Sequence, residues 1–247
     1  MTERENRRNA IAGWILLAGI AAVYALTFCP APVPGDSAIL LARHADLTPF
    51  PALSRPLWWS VVQMADAIPV GTLALRMAVF NSLASLLTLW LVFRTVIDLP
   101  HDRSEEERHT RHSASLAALI SGAAAVLFLA FSMPFWLAAT RAHPLPLGLL
   151  ILTAACWMTL RYALTSRSGW LYGIAFLLGL GVVEFPTMII VAPVLTLLLL
   201  FLMLQNGAFV SPKSSTHFHS TAFLKWAGRL VPCFLAGFSI LLLYAAR

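Results

Sequence analysis

Long apolar segments alternate with short polar segments along almost the whole chain. Most of the apolar segments approach or exceed the length of about 20 residues that an α-helix needs to cross the hydrocarbon core of a membrane. Because charged or proline-containing stretches separate them, each segment predicts a membrane helix of its own. The pattern predicts seven helices, at residues 10–29, 71–97, 114–132, 144–163, 169–185, 187–204 and 226–246.

The fifth and sixth of these helices are separated only by Glu184-Phe185-Pro186-Thr187. Proline has no backbone N–H, and its ring disfavours a helical conformation of the residue before it. The sequence therefore predicts a break at Pro186, with two helices rather than one long one.

Apolar residues make up 59% of the 247 residues, and charged residues make up only 11%. An ordinary soluble domain has roughly 25% charged residues, so this chain lacks the charged surface that a soluble enzyme needs. The apolar content also excludes a disordered chain, and three widely spaced cysteines exclude a disulfide scaffold. We predict an all-α, polytopic membrane protein that forms a single membrane domain over residues 1–247.

The 17 Lys and Arg residues outnumber the 11 Asp and Glu residues, which gives a net charge of +6. The basic residues stand singly or in short groups, so nucleic acid is not an expected partner. Most of them fall on one side of a seven-helix topology, and the positive-inside rule places that side in the cytoplasm. The N-terminus and the polar loops 98–113 and 205–225 are therefore predicted to be cytoplasmic.

The longest connection, residues 30–70, then lies on the non-cytoplasmic side, and connections of this length are usually functional. Its sequence favours two short helices on the membrane surface, at 38–47 and 54–67, the second with an interfacial Trp58-Trp59 pair. Asp36 stands at the start of the first. It can act as a helix N-cap or as a functional carboxylate, and the two roles are compatible because a positive helix end favours the ionised form.

Three further positions carry polar side chains at the outer membrane edge. The connection at 133–146 contains Arg141 and His143, which suit an anionic headgroup or phosphate and equally suit a plain interfacial anchor. Glu184 ends the fifth helix, where it either extends to solvent or belongs to a site. A carboxylate at a membrane edge is costly unless it is paired or functional, so these positions join Asp36 as candidates.

Five stretches carry a resemblance to a known family: Gly35-Asp36-Ser37 after the first helix, RMAVFNSL at 76–83, FW at 135–136, ATRAHPLPLGLLIL at 139–152 and GWLYGIAFLLGLGVVEFPT at 169–187. In their order and spacing they resemble the GT-C membrane glycosyltransferases. The likeness is greatest to a bacterial branch of unknown function that is related to protein O-mannosyltransferases. It covers roughly residues 10–204.

The resemblance implies a glycosyltransferase that takes a sugar from a polyprenyl-phosphate donor to a protein or glycan acceptor on the non-cytoplasmic face. It makes Asp36 the catalytic carboxylate, and it implies a multi-pass protein of the bacterial inner membrane. Such an enzyme also needs positive charge at the departing phosphate. Arg141 is the first candidate for this role, followed by Arg55 and Arg43.

The chain also departs from the family pattern. The family usually carries a glutamate where this chain has His143, and a histidine near Glu184. One hypothesis is that these two residues form a charge-swapped pair, and the changes can equally mark an altered substrate or lost activity. Some GT-C enzymes use a divalent cation, for which His44 and Asp46 are weak candidates, and no metal ligand is assigned.

Two other interpretations stay open. The chain can be a non-catalytic relative of the same fold, acting as a scaffold or lipid binder, or less readily a transporter. Family members generally carry more helices and a C-terminal outer domain, so the chain is either the seven-helix core alone or a product that lacks a C-terminal part.

Overall fold

The computed structural model describes residues 3–29, 38, 42, 55–99, 111–206, 210–211, 214–218 and 220–245. Its helices are α1 Glu3–Leu26, α2 Pro56–Asp66, α3 Leu73–Asp98, α4 Arg111–Ala130, α5 Met133–Ala139, α6 Leu145–Thr165, α7 Ser168–Glu184, α8 Met188–Gln205 and α9 Ser220–Ala245. Two short strands, β1 Val210–Ser211 and β2 Ser214–Phe218, pair as an antiparallel hairpin between α8 and α9.

Every apolar segment that the sequence assigns to a membrane helix corresponds to a helix of the structure, which confirms an all-α polytopic membrane protein. Within the described residues, α1, α3, α6 and α8 are long and apolar enough to cross a membrane. The pair α4 and α5 makes a fifth span if the two helices, bent by 72°, are counted as one broken span. Helix α7 is apolar but shorter, with 17 residues.

The connections agree with the sequence in part. Helix α2 confirms the predicted helix at 54–67, whereas the predicted helix at 38–47 lies outside the described residues except for positions 38 and 42. Trp58 and Trp59 are buried in the protein rather than exposed at an interface. The loop predicted at 205–225 contains the β-hairpin, and α9 begins within it at Ser220.

Helix α5 occupies part of the segment predicted as a plain connection at 133–146. It begins directly after the bend, with Ser132 at its N-cap position and Pro134 in its first turn. Proline is well tolerated there because the first N–H groups of a helix have no intrahelical acceptor. The same residues that end α4 therefore start a new helix.

By its internal contacts the chain divides into two compact units, and the prediction of a single domain over 1–247 stays a prediction. Unit 1 consists of Met1–Pro51 and Ser60–Thr153, and unit 2 consists of Ala52–Trp59 and Ala154–Arg247.

The core of unit 1 is formed by apolar side chains from α1, α3, α4 and α5, with Tyr24, Leu89, Phe93 and Val126 among the most deeply buried. The Tyr24 hydroxyl donates to the Ala130 carbonyl at 2.9 Å, so its polar end is satisfied at the end of α4. Helix α1 approaches α3 closely at Gly13, where a Cβ would lie 2.5 Å from the Phe93 ring. Only glycine fits this crossing without repacking the aromatic ring.

The core of unit 2 is dominated by the contact between α7 and α9. Gly179 lies against the backbone of Phe234, and Gly237 lies against the backbone of Phe176 and Leu180. A Cβ at either glycine would collide with main-chain atoms of the other helix. Small residues allow this close backbone approach between membrane helices, where van der Waals packing drives association.

Candidate functional site

In unit 2, the Glu184 carboxylate lies at the N-terminus of α2. One carboxylate oxygen accepts a hydrogen bond from the Leu57 N–H at 2.9 Å, and the other accepts from the Trp58 N–H at 3.1 Å. Pro56, the first residue of α2, has no N–H to offer. Glu184 therefore satisfies the first two donors of a helix that would otherwise leave them unpaired.

Glu184 is only 2% exposed, so it does not extend to solvent from the end of α7. Burying a carboxylate is expensive unless the charge is compensated. Here the two N–H groups, the positive end of α2 and the Arg55 guanidinium all interact favourably with it. The arrangement makes Glu184 an anchor for the start of α2.

Arg55 precedes α2 and has a left-handed backbone, with φ of 66°. This conformation is uncommon for a non-glycine residue, and it persists only where the surroundings impose it. The Arg55 carbonyl accepts the Trp59 N–H at 3.1 Å, so the residue is tied to the first turn of α2. Its side chain is half-buried, and its charge acts on Glu184.

In unit 1, Asn81 on α3 is completely buried and fixes the connection at 140–144. Its amide nitrogen donates to the Arg141 carbonyl at 2.6 Å and to the His143 carbonyl at 2.8 Å. The neighbouring Ser82 hydroxyl donates to the Ala139 carbonyl at 2.8 Å. Two polar side chains of one apolar helix thus hold two carbonyls of this connection and the last carbonyl of α5 in place.

The end of α1 is attached to the same connection. The Cys29 N–H donates to the Thr140 carbonyl at 3.1 Å, and the Trp136 indole N–H donates to the Thr27 hydroxyl at 3.2 Å. The chain therefore leaves α1 beside Arg141. The long connection at 30–70 follows directly in the sequence.

Arg141 itself is half-buried. Within the described part of the chain, its guanidinium has no hydrogen-bond or ion-pair partner. The adjacent His143 is oriented by its Nδ1 atom, which accepts the Leu145 N–H at 3.1 Å. The Arg141 backbone is therefore fixed, and none of the described residues binds its guanidinium. Such a guanidinium can bind an anion.

Arg76, at the start of α3, binds the C-terminal end of α2. Its guanidinium donates to the carbonyls of Ala65 at 2.6 Å and Asp66 at 3.0 Å, and also to that of Ile68. It also forms an ion pair with the Asp66 carboxylate at 3.9 Å. A cation at a helix C-terminus is favourable because the last carbonyls carry partial negative charge.

The structure thus groups the predicted residues in two places, with Arg141 and His143 in unit 1 and Arg55 and Glu184 in unit 2. Asp36, Arg43, His44 and Asp46 lie outside the described residues. The pairing of His143 with Glu184 stays a prediction. Among the residues that are described, no three His, Cys, Asp or Glu side chains come together as a metal site would require.

The sequence alone predicted no role for Arg76, Asn81 and Ser82, although all three belong to the stretch RMAVFNSL. The signal that could have identified them is polarity in an apolar helix. A strongly polar residue in a membrane helix is costly and is usually paired or functional. Their partners are backbone carbonyls, which no sequence pattern reveals.

Comparison with known proteins gives one family match. The model of the protein O-mannosyl-transferase TMEM260 N-terminal domain matches residues 54–207, which is more than half of the chain. No curated protein and no solved structure matches. The matched region contains Arg55, Asn81, Arg141 and Glu184, and it begins after Asp36.

This match confirms the part of the resemblance that points to protein O-mannosyltransferases. The chain belongs to the family of the protein O-mannosyl-transferase TMEM260 N-terminal domain.

Proposed function

We propose that the protein transfers a sugar from a polyprenyl-phosphate donor to a protein or glycan acceptor on the non-cytoplasmic side of the membrane, using a GT-C type core. Family membership supports a glycosyltransferase, and the family description makes mannose the first sugar to test. The distribution of basic residues supports a cytoplasmic N-terminus. The bacterial inner membrane is part of the same proposal.

In the proposed reaction, an acceptor hydroxyl oxygen attacks C1 of the sugar. The bond between C1 and the phosphate oxygen breaks, and the polyprenyl phosphate leaves with the bonding electrons. The acceptor proton passes to the Asp36 carboxylate, which acts as general base. Arg141 stabilises the negative charge that develops on the departing phosphate, a role that requires a preorganised cation.

The observation that carries this assignment is the fixed position of the Arg141 backbone beside the end of α1. Asn81 holds the Arg141 carbonyl, and the Cys29 N–H holds the neighbouring Thr140 carbonyl. Asp36 follows Cys29 by seven residues, and a chain of that length spans at most about 25 Å. The chain connectivity thus keeps the proposed base within reach of a site at Arg141.

Arg55 is the second candidate for the phosphate. It is half-buried and fixed at the start of α2, but part of its charge is already balanced by Glu184. We therefore rank Arg141 above Arg55, with Arg43 third. Glu184 acts in this proposal by anchoring α2 rather than by touching the sugar.

The test is sugar transfer by the purified full-length chain in phospholipid vesicles that contain polyprenyl-phosphate mannose and an acceptor peptide. Wild type should form glycosylated peptide and release polyprenyl phosphate. Asp36→Asn should lower the rate by at least about 100-fold, the usual contribution of a general base. Arg141→Gln should lower it by about 100-fold, the loss expected when one charge-stabilising donor is removed.

Arg167→Gln is the matched control, because Arg167 is an exposed arginine at the turn between α6 and α7. It should retain wild-type activity. Full activity of both Asp36→Asn and Arg141→Gln would overturn the assignment of the site. No transfer by wild type with any polyprenyl-phosphate sugar would favour the non-catalytic interpretation.

A further inference from the structure

Unit 2 contains an apolar cavity of about 200 Å³ between α7, α8 and α9. Leucine, alanine, valine, methionine and phenylalanine side chains line it, together with Thr196. The Thr196 hydroxyl donates back to the Ala192 carbonyl at 2.8 Å, so it offers no free donor to a ligand. This lining favours an apolar ligand over water.

The cavity lies toward one end of the three helices. Leu171 and Ala175 lie near the start of α7, Met203 lies near the end of α8, and Leu230 lies in the first half of α9. The cavity is therefore nearest to the membrane edge at which α7 and α9 begin. Tyr172 and Trp226 mark this edge, with ring centroids 6.4 Å apart.

Basic side chains also lie at this edge. Lys225 and Arg229 are exposed on α9, and Arg229 directly precedes the cavity residue Leu230. Arg167 is exposed at the N-cap of α7. Glu184 is the only acidic residue between positions 154 and 247, and it lies at the opposite end of α7, roughly 25 Å away along the helix. No acidic side chain from residues 154–247 therefore lies at this edge to neutralise the basic side chains.

We propose that an anionic phospholipid binds in this groove, with an acyl chain in the cavity and the headgroup phosphate at Lys225 and Arg229. The cavity lies among membrane helices, so hydrocarbon chains are the apolar molecules that surround it. The exposed cations select an anionic headgroup over a zwitterionic one. The site consists of residues of unit 2 that have no part in the proposed sugar transfer, and its occupation does not depend on that function.

The test is native mass spectrometry of the full-length protein after reconstitution in phosphatidylcholine vesicles that contain phosphatidylglycerol. Wild type should retain phosphatidylglycerol in preference to phosphatidylcholine. The double variant Lys225→Gln/Arg229→Gln should bind it about 30-fold more weakly, the factor expected when two basic residues are removed near a membrane surface. Ala175→Leu, which narrows the cavity, should also reduce retention.

Lys225→Arg/Arg229→Lys is the matched control, because it keeps both positive charges at the exposed positions of α9. It should retain phosphatidylglycerol as wild type does. Equal retention of both lipids by wild type would overturn the proposal whatever the variants do. Wild-type retention by Lys225→Gln/Arg229→Gln, or an equal loss in the control, would also overturn it.

Discussion

Asn81 in unit 1 and Glu184 in unit 2 both bind backbone groups of another segment, but Asn81 acts as a donor and Glu184 as an acceptor. Both are buried polar residues on apolar helices, and both fix the backbone of another segment of the chain. Asn81 is neutral and donates to two carbonyls, whereas Glu184 is a carboxylate that accepts from two N–H groups. The chemistry of each anchor is matched to the backbone groups that it must satisfy.

The two residues also differ in whether any of their hydrogen-bonding atoms remains without a partner among the described residues. Both Glu184 oxygens are occupied, and the N–H groups of α2 and Arg55 offset part of the cost of burying its charge. Asn81 uses its amide hydrogens, while its Oδ1 atom is buried and has no hydrogen-bond partner among the described residues. We infer that Glu184 contributes mainly to stability, whereas Asn81 contributes mainly to the position of Arg141.

The largest expected effect is that of Glu184→Ala. It removes two charge-assisted hydrogen bonds and leaves the Leu57 and Trp58 N–H groups unpaired, so the free energy of unfolding should fall by about 3 kcal/mol. Unfolding in a denaturing detergent, followed by tryptophan fluorescence, measures this change. Glu184→Gln keeps one acceptor oxygen and should lose about half as much. If Glu184→Ala lowers the free energy of unfolding by less than about 0.5 kcal/mol, Glu184 is not an anchor.

Asn81→Ala should come next. Two hydrogen bonds to carbonyls are lost, which lowers the free energy of unfolding by about 2 kcal/mol. The proposed sugar transfer should fall more than this stability loss implies, because the Arg141 backbone is released. Measured at a temperature where the variant is fully folded, unchanged transfer would show that Asn81 does not position Arg141.

Ser82→Ala removes a single hydrogen bond, to the Ala139 carbonyl. The free energy of unfolding should fall by about 1 kcal/mol in the same unfolding experiment. Because Asn81 still holds Arg141 and His143, transfer activity should be close to wild type. A larger loss of activity than in Asn81→Ala would reverse the order of importance proposed for the two residues.

Ser85→Ala should have the smallest effect. Ser85 is buried one turn after Asn81, and its hydroxyl has no hydrogen-bond partner among the described residues. Removing an unpaired buried hydroxyl should change the free energy of unfolding by no more than about 0.5 kcal/mol and can increase it. A loss as large as that of Asn81→Ala would mean that burial alone, rather than hydrogen bonding, explains both residues.

Much of the fold follows from sequence pattern alone. The apolar segments locate the helices, although among the described residues only four or five of the seven predicted membrane helices are long and apolar enough to cross a membrane. Pro186 marks the break between α7 and α8, where Phe185 is the C-cap of one helix and Met188 begins the next. Helix α5 was not predicted, although Ser132 and Pro134 are standard signals for the start of a helix. Its seven residues are too short to show a clear apolar period.

The site could be predicted only as a set of residue types. Arg141, His143 and Glu184 stand out because charged side chains are rare at a membrane edge. Their partners do not, because Glu184 binds N–H groups 126 and 127 positions earlier in the chain. Backbone donors and acceptors are present at every residue, so the sequence cannot indicate which of them a buried side chain meets.

The central claim is that Asn81 acts through Arg141, and a double-mutant cycle on the rate of sugar transfer tests it most directly. The rates to compare are kcat/KM for wild type, Asn81→Ala, Arg141→Gln and the double variant, all with polyprenyl-phosphate mannose. If Asn81 positions Arg141, the double variant should be no slower than Arg141→Gln alone, because coupled residues are not additive. If the two losses simply add, Asn81 and Arg141 act independently and the claim is wrong.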